Sequence, residues 1–539
     1  MYVRTISRKN KNGTRTSYVQ LAHNVRDEKG MPQAKVLYTF GRLDTLDIEA
    51  IRRLIASLSR FVSPDTPPHD TGPMVFERSV PMGGSYLLRA LWEKIGIPGL
   101  FAKTLKDRNF SSPIGWAVFA MVANRALAPY SKRGVEEWVR EDVALGNPEP
   151  IALHHLYRAM DVLLEQTERI HKEVFFAVAD LLNLEVDLLF FDTTSTYLET
   201  EDEEGLKRYG HSKDHRNDLP QIVIGLAVTK EGIPVKCWVL PGNTSDMKTV
   251  EKVKDDLRGW HLSRCVWVMD RGMSSEENRV ILQKAGGHYI LGEKLRDDAE
   301  VHEEVLSRKG RYRKIRENLE VKEVTVGEGE RRRRFVIVYN PDEAERDKHN
   351  REVILKKTEE VIHALKGPEH TRRVCELLTH KTMGRYIRQQ KNGVLKIDRA
   401  KAKKEEHLDG KYILSTSDDS LSPEDVALGY KQLMEVERAF RTLKTTLDLR
   451  PVYHRKDERI TAHVFLCFLA LLLVRTAERK TGLTWDKIRS VMERLHLGEF
   501  TSKDGRVLQT TELTPEQQNI LKQLDIALPR RVQSVLTTP

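Results

Sequence analysis

Cysteine is scarce in this chain, and no apolar stretch is long enough for a membrane. Only 4 cysteines occur in 539 residues, and Cys237, Cys265, Cys375 and Cys467 show no Cys-x2-Cys spacing. That argues against a disulfide framework or a cysteine-based zinc site and fits a reducing cytoplasm. The first residues, MYVRTISRKNKNG, lack the apolar core of a secretory signal. The longest apolar run, Val464 to Val474, spans eleven residues, short of the roughly 20 that cross a bilayer. It reads as a buried helix, with no membrane partner. Internal repeats are absent too.

Acidic residues are outnumbered, 79 against 89 basic ones, and the excess of +10 is clustered. Arg308 to Arg316 (RKGRYRKIR) holds six basic residues and no acid, and Arg331 to Arg334 is unbroken arginine. Thr371-Arg372-Arg373 and Lys396 to Lys404 add two further basic patches. Such patches neutralise phosphates and release counterions. A solvated surface explains any single patch equally well; four of them point to DNA or RNA.

The length predicts several domains. Residues 1–62 read as a β-rich module plus a helix, with strands at Tyr2 to Ser7, Ser17 to Val25 and Lys35 to Phe40. A proline-containing linker follows at 63–73. Residues 74–184 have helical periodicity, suited to a DNA-end-binding domain or to packing alone. At 185–294 the pattern becomes short apolar strands alternating with helices, the mark of a mixed sheet. Residues 295–410 are basic and irregular, an inserted β-containing subdomain. Residues 411–480 resume the sheet with a returning strand, and 481–539 form a C-terminal helical region. The fold class is therefore α/β.

Three acids carry the functional reading. Asp192 ends the apolar run Leu188-Leu189-Phe190-Phe191, and Asp270 ends Val266-Trp267-Val268-Met269. Acids where buried strands stop face the crevice at the strand ends. One such Asp is more often a turn residue than a ligand; two in one sheet suit a divalent cation. The third, Glu437, follows the returning strand on a helix opened by Ser422-Pro423-Glu424-Asp425, a serine cap with proline at the first position. At about 100° per residue, Tyr430, Glu437, Arg441 and Lys444 fall within about 60° of one another. The alternative for Glu437 is an ordinary i,i+4 pair with Arg441. Asp187, Asp214, Asp218 and Asp246 rank lower, because they lie in loops or near strand starts.

These residues resemble the bacterial insertion-sequence transposases with a DDE catalytic core, in the branch marked by a Y-x2-R-x3-E-x6-K signature. Tyr430, Glu437 and Lys444 keep its spacing, while Leu433 stands where the arginine would be. The similarity spans Leu188 to Leu473. It includes FFDTTSTYLE, YGHSKDHRNDLPQ (Tyr209 to Gln221), LPGNTSD (Leu240 to Asp246), VMDRGMSS and LRPVYH (Leu449 to His454). The resemblance implies a ribonuclease H-like core and cut-and-paste DNA transposition. Asp192, Asp270 and Glu437 would hold two Mg²⁺ ions, with Mn²⁺ an acceptable substitute. Partners would be double-stranded DNA, both terminal inverted repeats and target, bound by a dimer in the bacterial cytoplasm. Tyr430, Arg441 and Lys444 would hold phosphates, with Lys213, Arg216 and Arg271 flanking the crevice as further DNA contacts. Rival readings are a transposase-derived DNA-binding protein that no longer cuts, and a stand-alone nuclease on the same fold.

Overall fold

The computed structural model describes the chain apart from residues 1, 10–14, 27–30, 63–73, 106–113, 147–149, 185–186, 261–264, 297–303, 330–331, 366–369, 503–504 and 538–539. The expected linker 63–73 and Arg331 of the arginine run thus lie outside the described residues. The chain divides into two compact units.

One unit holds residues 1–83, 491–522 and 527–539. Tyr2–Lys9, Arg15–Arg26 and Pro32–Arg42 form a three-stranded antiparallel sheet, followed by the helix Ile48–Val62. This is the expected small β module. A second sheet of four strands runs in the order Val532–Thr537, Gly505–Thr510, His496–Ser502, Val75–Pro81. The C-terminal region is therefore not helical throughout, and Val75–Pro81 is a strand where helix was expected. Phe76 and Phe500, 5.5 Å apart between ring centroids, pack across that sheet. Their cross-strand pairing needs a partner distant in sequence, which local periodicity does not register.

The other unit holds residues 84–490 with 523–526. Its centre is a nine-stranded sheet. In chain order the strands are β1 (Leu188–Tyr197), β2 (Gln221–Thr229), β3 (Pro234–Pro241), β4 (Val266–Met269), β5 (His288–Gly292), β6 (Arg313–Arg316), β7 (Leu319–Val326), β8 (Arg333–Tyr339) and β9 (Lys411–Thr416). Their spatial order is β6-β7-β8-β9-β5-β4-β1-β2-β3. Strands β1, β4 and β5 are mutually parallel, and β2 is antiparallel to both its neighbours. The strands of the basic insert extend this same sheet through β9. Strand β8, with Phe335 to Val338 buried, requires a hydrogen-bonded neighbour on each side, and β7 and β9 supply them.

Helices α1 (Thr249–Arg258) and α2 (Glu276–Gln283) flank the sheet on the side of Leu189, Phe191, Trp238, Trp267 and Leu291. The opposite side carries α3 (Pro423–Lys431) and α4 (Met434–Arg441), with Gly429 beside the side chains of Leu188 and Ile290. The apolar run Val464–Val474 lies within Asp457–Thr481, a 25-residue helix. That helix is long and apolar enough to cross a membrane, but 89% of its most apolar window is buried in the protein. His171, from the helix Thr167–Leu182, packs its ring against Phe465 (tilted) and Phe468 (edge-on) with centroids 4.4 and 4.7 Å apart.

Candidate active site

The register of β1 on β4 pairs Phe191 with Met269, so Asp192 and Asp270 are the next residues on adjacent parallel strands. Strand β4 stops at Met269, which leaves Asp270 at its end as expected. Asp192 is different. It lies inside β1, which continues to Tyr197 paired with Gln221 of β2. The residues that prolong the strand, Thr193 to Thr196, are mostly β-branched, a type that suits strands despite being polar. The apolar run ends at Asp192; the strand does not.

Asp192 accepts a hydrogen bond from its neighbour's backbone, Thr193 N to Oδ1, at 2.7 Å. Burial pushes its carboxyl up to about 6, with nearby Asp246 and Asp270 adding to the rise; Lys213 and the Thr193 amide oppose it. Lys213 only partly offsets three carboxylates held together, and a divalent cation would offset the remainder. Asp270 accepts from the Tyr430 hydroxyl at 3.0 Å. Burial and the neighbouring Asp270 keep that phenol protonated, so it has a proton to donate to the carboxylate. Gly292, at the end of β5, makes the contact feasible, because a Cβ there would collide with the Tyr430 hydroxyl.

Glu437 stands exposed on α4, with no hydrogen bond or ion pair among the described residues. The pair with Arg441 does not form; Arg441 is also exposed and unpaired among the described residues. The helix is not regular either. Between α3 and α4 it tightens at Gln432-Leu433, where amides bond three residues back, and at Thr442–Thr446 it widens into a π turn. A single 100° wheel through Tyr430, Glu437, Arg441 and Lys444 is therefore not the observed arrangement. No group of three His, Cys, Asp or Glu side chains already gathered for a metal is found among the described residues. The oxygen donors of Asp192 and Asp270 are of the type that suits a hard divalent cation.

Asp246, ranked low from the sequence, belongs to this crevice. Thr193 Oγ1 donates to its Oδ1 at 2.5 Å, and Lys213 Nζ lies 3.3 Å from its Oδ2. Its sequence signal was the LPGNTSD motif, read as a loop. Of the expected DNA contacts, four are engaged within the protein: Tyr430 by Asp270, Lys213 by Thr193 and Asp246, Arg216 by Asp218 at 2.9 Å, and Lys444 by Asp214 at 2.8 Å. Arg271 and Arg441 stay exposed and unpaired among the described residues.

A cleft of about 1340 Å³ runs from Asp270, Arg271 and Gly272 along Lys294, Arg296, Lys381, Arg385, Lys401 and Lys404. Of these cations Lys294, Lys381 and Lys404 are exposed and have no side-chain partner among the described residues. Lys401 and Lys404 fall in a basic patch visible in the sequence, whereas Lys294 and Lys381 are isolated cations that only the fold aligns.

The burial of Asp192 has a measurable consequence without metal. Its folded-state value of about 6 lies above the ordinary 3.8, so between those values the folded state holds more protons than the unfolded one. Stability therefore falls as pH rises through that window. Asp192→Asn should raise metal-free stability at pH 8 by on the order of 2 kcal/mol. The gain should vanish below about pH 4, where the carboxyl is protonated in both states. Denaturant melts at both pH values check this; equal stability at pH 8 would mean that the protein already compensates the charge.

The sequence matches the family described as "Transposase DDE domain" over residues 187–473. It matches "IS1634 family transposase, N-terminal domain" over residues 3–68. No curated protein matches. Among solved structures, the cryo-EM structure of a piggyBac transposase synaptic complex with hairpin DNA aligns at 9% identity and a TM-score of 0.36, covering 77% of this chain and 82% of that one.

Proposed function

This chain belongs to the DDE transposase family, and from that premise we propose that it cuts the ends of an insertion sequence and joins them to target DNA. The observation that carries the reading is the pair Asp192 and Asp270, side by side on parallel strands, with Asp192 buried against its charge. The β3-β2-β1-β4-β5 order with β2 reversed supports a ribonuclease H-like core. The spacing of Tyr430, Glu437 and Lys444 supports the Y-x2-R-x3-E-x6-K branch.

Asp192, Asp270 and Glu437 would hold two Mg²⁺ ions, which supply a lowered pKa for the attacking water or 3′-hydroxyl and charge stabilisation for the leaving oxygen. The protein's own part is positional. Tyr430 orients Asp270 through its hydroxyl, and Lys213 holds Asp246 and the Thr193 carbonyl beside Asp192. Arg271 and Arg441, exposed and unpaired among the described residues, are the better candidates for phosphates near the scissile bond. The basic cleft leading from Asp270 suits a nucleic-acid backbone, and joining two ends in one event favours a dimer on DNA in a bacterial cytoplasm.

The test is to incubate purified protein, Mg²⁺ and DNA carrying the inverted repeats that flank the coding region. Joined end-to-target products are expected. Nicks without joining would leave a nuclease, and binding without any cut would leave a DNA-binding protein.

A further inference from the structure

Asp214 is buried to 3% exposure, and its Oδ1 accepts from both Lys444 Nζ, at 2.8 Å, and Arg450 Nη1. Its Oδ2 has no hydrogen-bond partner among the described residues. Lys444 is itself only 12% exposed, in the π turn that follows α4. A lysine placed to receive a DNA phosphate would stand free in solvent, and Lys444 does not. The next residue back in the chain, Lys213, grips the strand that carries Asp192. Its amide donates to Ser195 Oγ at 2.7 Å, and its ammonium to the Thr193 carbonyl at 2.8 Å and Thr193 Oγ1 at 2.9 Å. The segment is internally tied as well, with the Asp214 and Arg216 amides on Ser212 Oγ and the Arg216 guanidinium 4.9 Å above the Tyr197 ring.

We propose that Lys444 and Arg450 are positioning residues, which through Asp214 anchor the loop 209–221 and so set Lys213 against Thr193 and Asp246, rather than contacts to DNA phosphate. The physical reason is the cost of a buried carboxylate that loses its cations. Without them Asp214 would move out to reach water. Lys213 is one peptide unit away, and consecutive Cα atoms are about 3.8 Å apart, so it would be carried off the crevice too. The anchor ties the loop of Asp214, which grips the strand of Asp192, to the chain just after the helix of Glu437, 230 residues on from Asp214. Its bearing on catalysis rests on the function proposed above; its bearing on the loop does not.

Four full-length variants test it: Lys444→Met, Arg450→Met, Asp214→Asn and the double variant that combines Lys444→Met with Asp214→Asn. Hydrogen exchange of the peptide spanning 209–221 in the free protein should accelerate in each, relative to the rest of the sheet. The salt dependence of DNA binding should stay at the wild-type slope for Lys444→Met. Cleavage of terminal-repeat DNA should fall about tenfold to a hundredfold in Lys444→Met and in Asp214→Asn, and no further in the double variant, as coupled neighbours behave. Wild-type exchange in the loop, together with a salt slope shallower by about 0.9, the value of one phosphate contact, would overturn the proposal. So would losses that multiply in the double variant. If Lys444→Met does not fold, Arg450→Met, at a site 34% exposed, reads the same anchor, and unchanged exchange there overturns it equally. Should the wild type cut no DNA, the functional reading fails while loop exchange still decides the anchor.

Discussion

Asp192→Asn, Asp270→Asn and Glu437→Ala should each reduce DNA cleavage by at least about 10³-fold while leaving DNA affinity nearly unchanged. The reasoning is electrostatic. A carboxylate that holds a catalytic cation acts on the charge that develops in the transition state, whereas affinity for a duplex comes mainly from phosphate contacts. The Asp192 substitution has a further signature: it removes a buried charge, so the metal-free protein should become more stable as its activity disappears. Loss of activity with loss of stability would instead indicate a folding defect. Glu437 is the decisive member, because it stands exposed on α4, unpaired among the described residues, while Asp246 already lies beside Asp192. Cleavage retained in Glu437→Ala but lost in Asp246→Asn would move the third ligand to Asp246. Cleavage lost in Glu437→Ala would mean that α4 brings its carboxylate into the crevice when cation and DNA are bound.

How much of this site could be seen in the sequence depends on the range of the forces involved. Asp192 and Asp270 were visible because each closes a run of buried apolar residues, and burial patterns are local. The start of α3 was visible for the same reason: Ser422 and Asp425 cap each other's backbone in the structure as their spacing implied. The course of the chain beyond it was not. No proline marks the tightening at Gln432-Leu433 or the π turn at Thr442–Thr446, Gly429 alone gives no hint that its carbonyl takes a bond from three residues on, and an even wheel passes straight through both. The partners of Lys444 and Tyr430 were hidden by distance, since Asp214 and Asp270 lie 230 and 160 residues away. A cation or phenol at a motif position says nothing about which acid the fold will bring to it. The C-terminal strands were missed likewise, as their pairing with Val75–Pro81 joins opposite ends of the chain.

DNA binding should be steeply salt-dependent, and the slope should depend on the cleft beside Asp270. Five exposed cations near the site are unpaired among the described residues: Arg271, Lys294, Lys381, Lys404 and Arg441. With the basic patches they would support roughly six phosphate contacts, for which affinity falls about 10³-fold between 50 and 200 mM salt. Replacing Lys294, Lys381 and Lys404 together by alanine should lower the log–log slope by about 2.7, at roughly 0.9 per phosphate. Folding should be little affected, because exposed side chains without partners contribute little to stability. Lys213→Ala and Arg216→Ala should leave that slope nearly intact, since both cations are already committed to Asp246 and Asp218. Fluorescence anisotropy on one duplex across the salt range measures all of these variants. A slope unchanged in the triple variant would mean that DNA does not enter this cleft, and the path of the strand to Asp270 would then have to run over another face of the sheet.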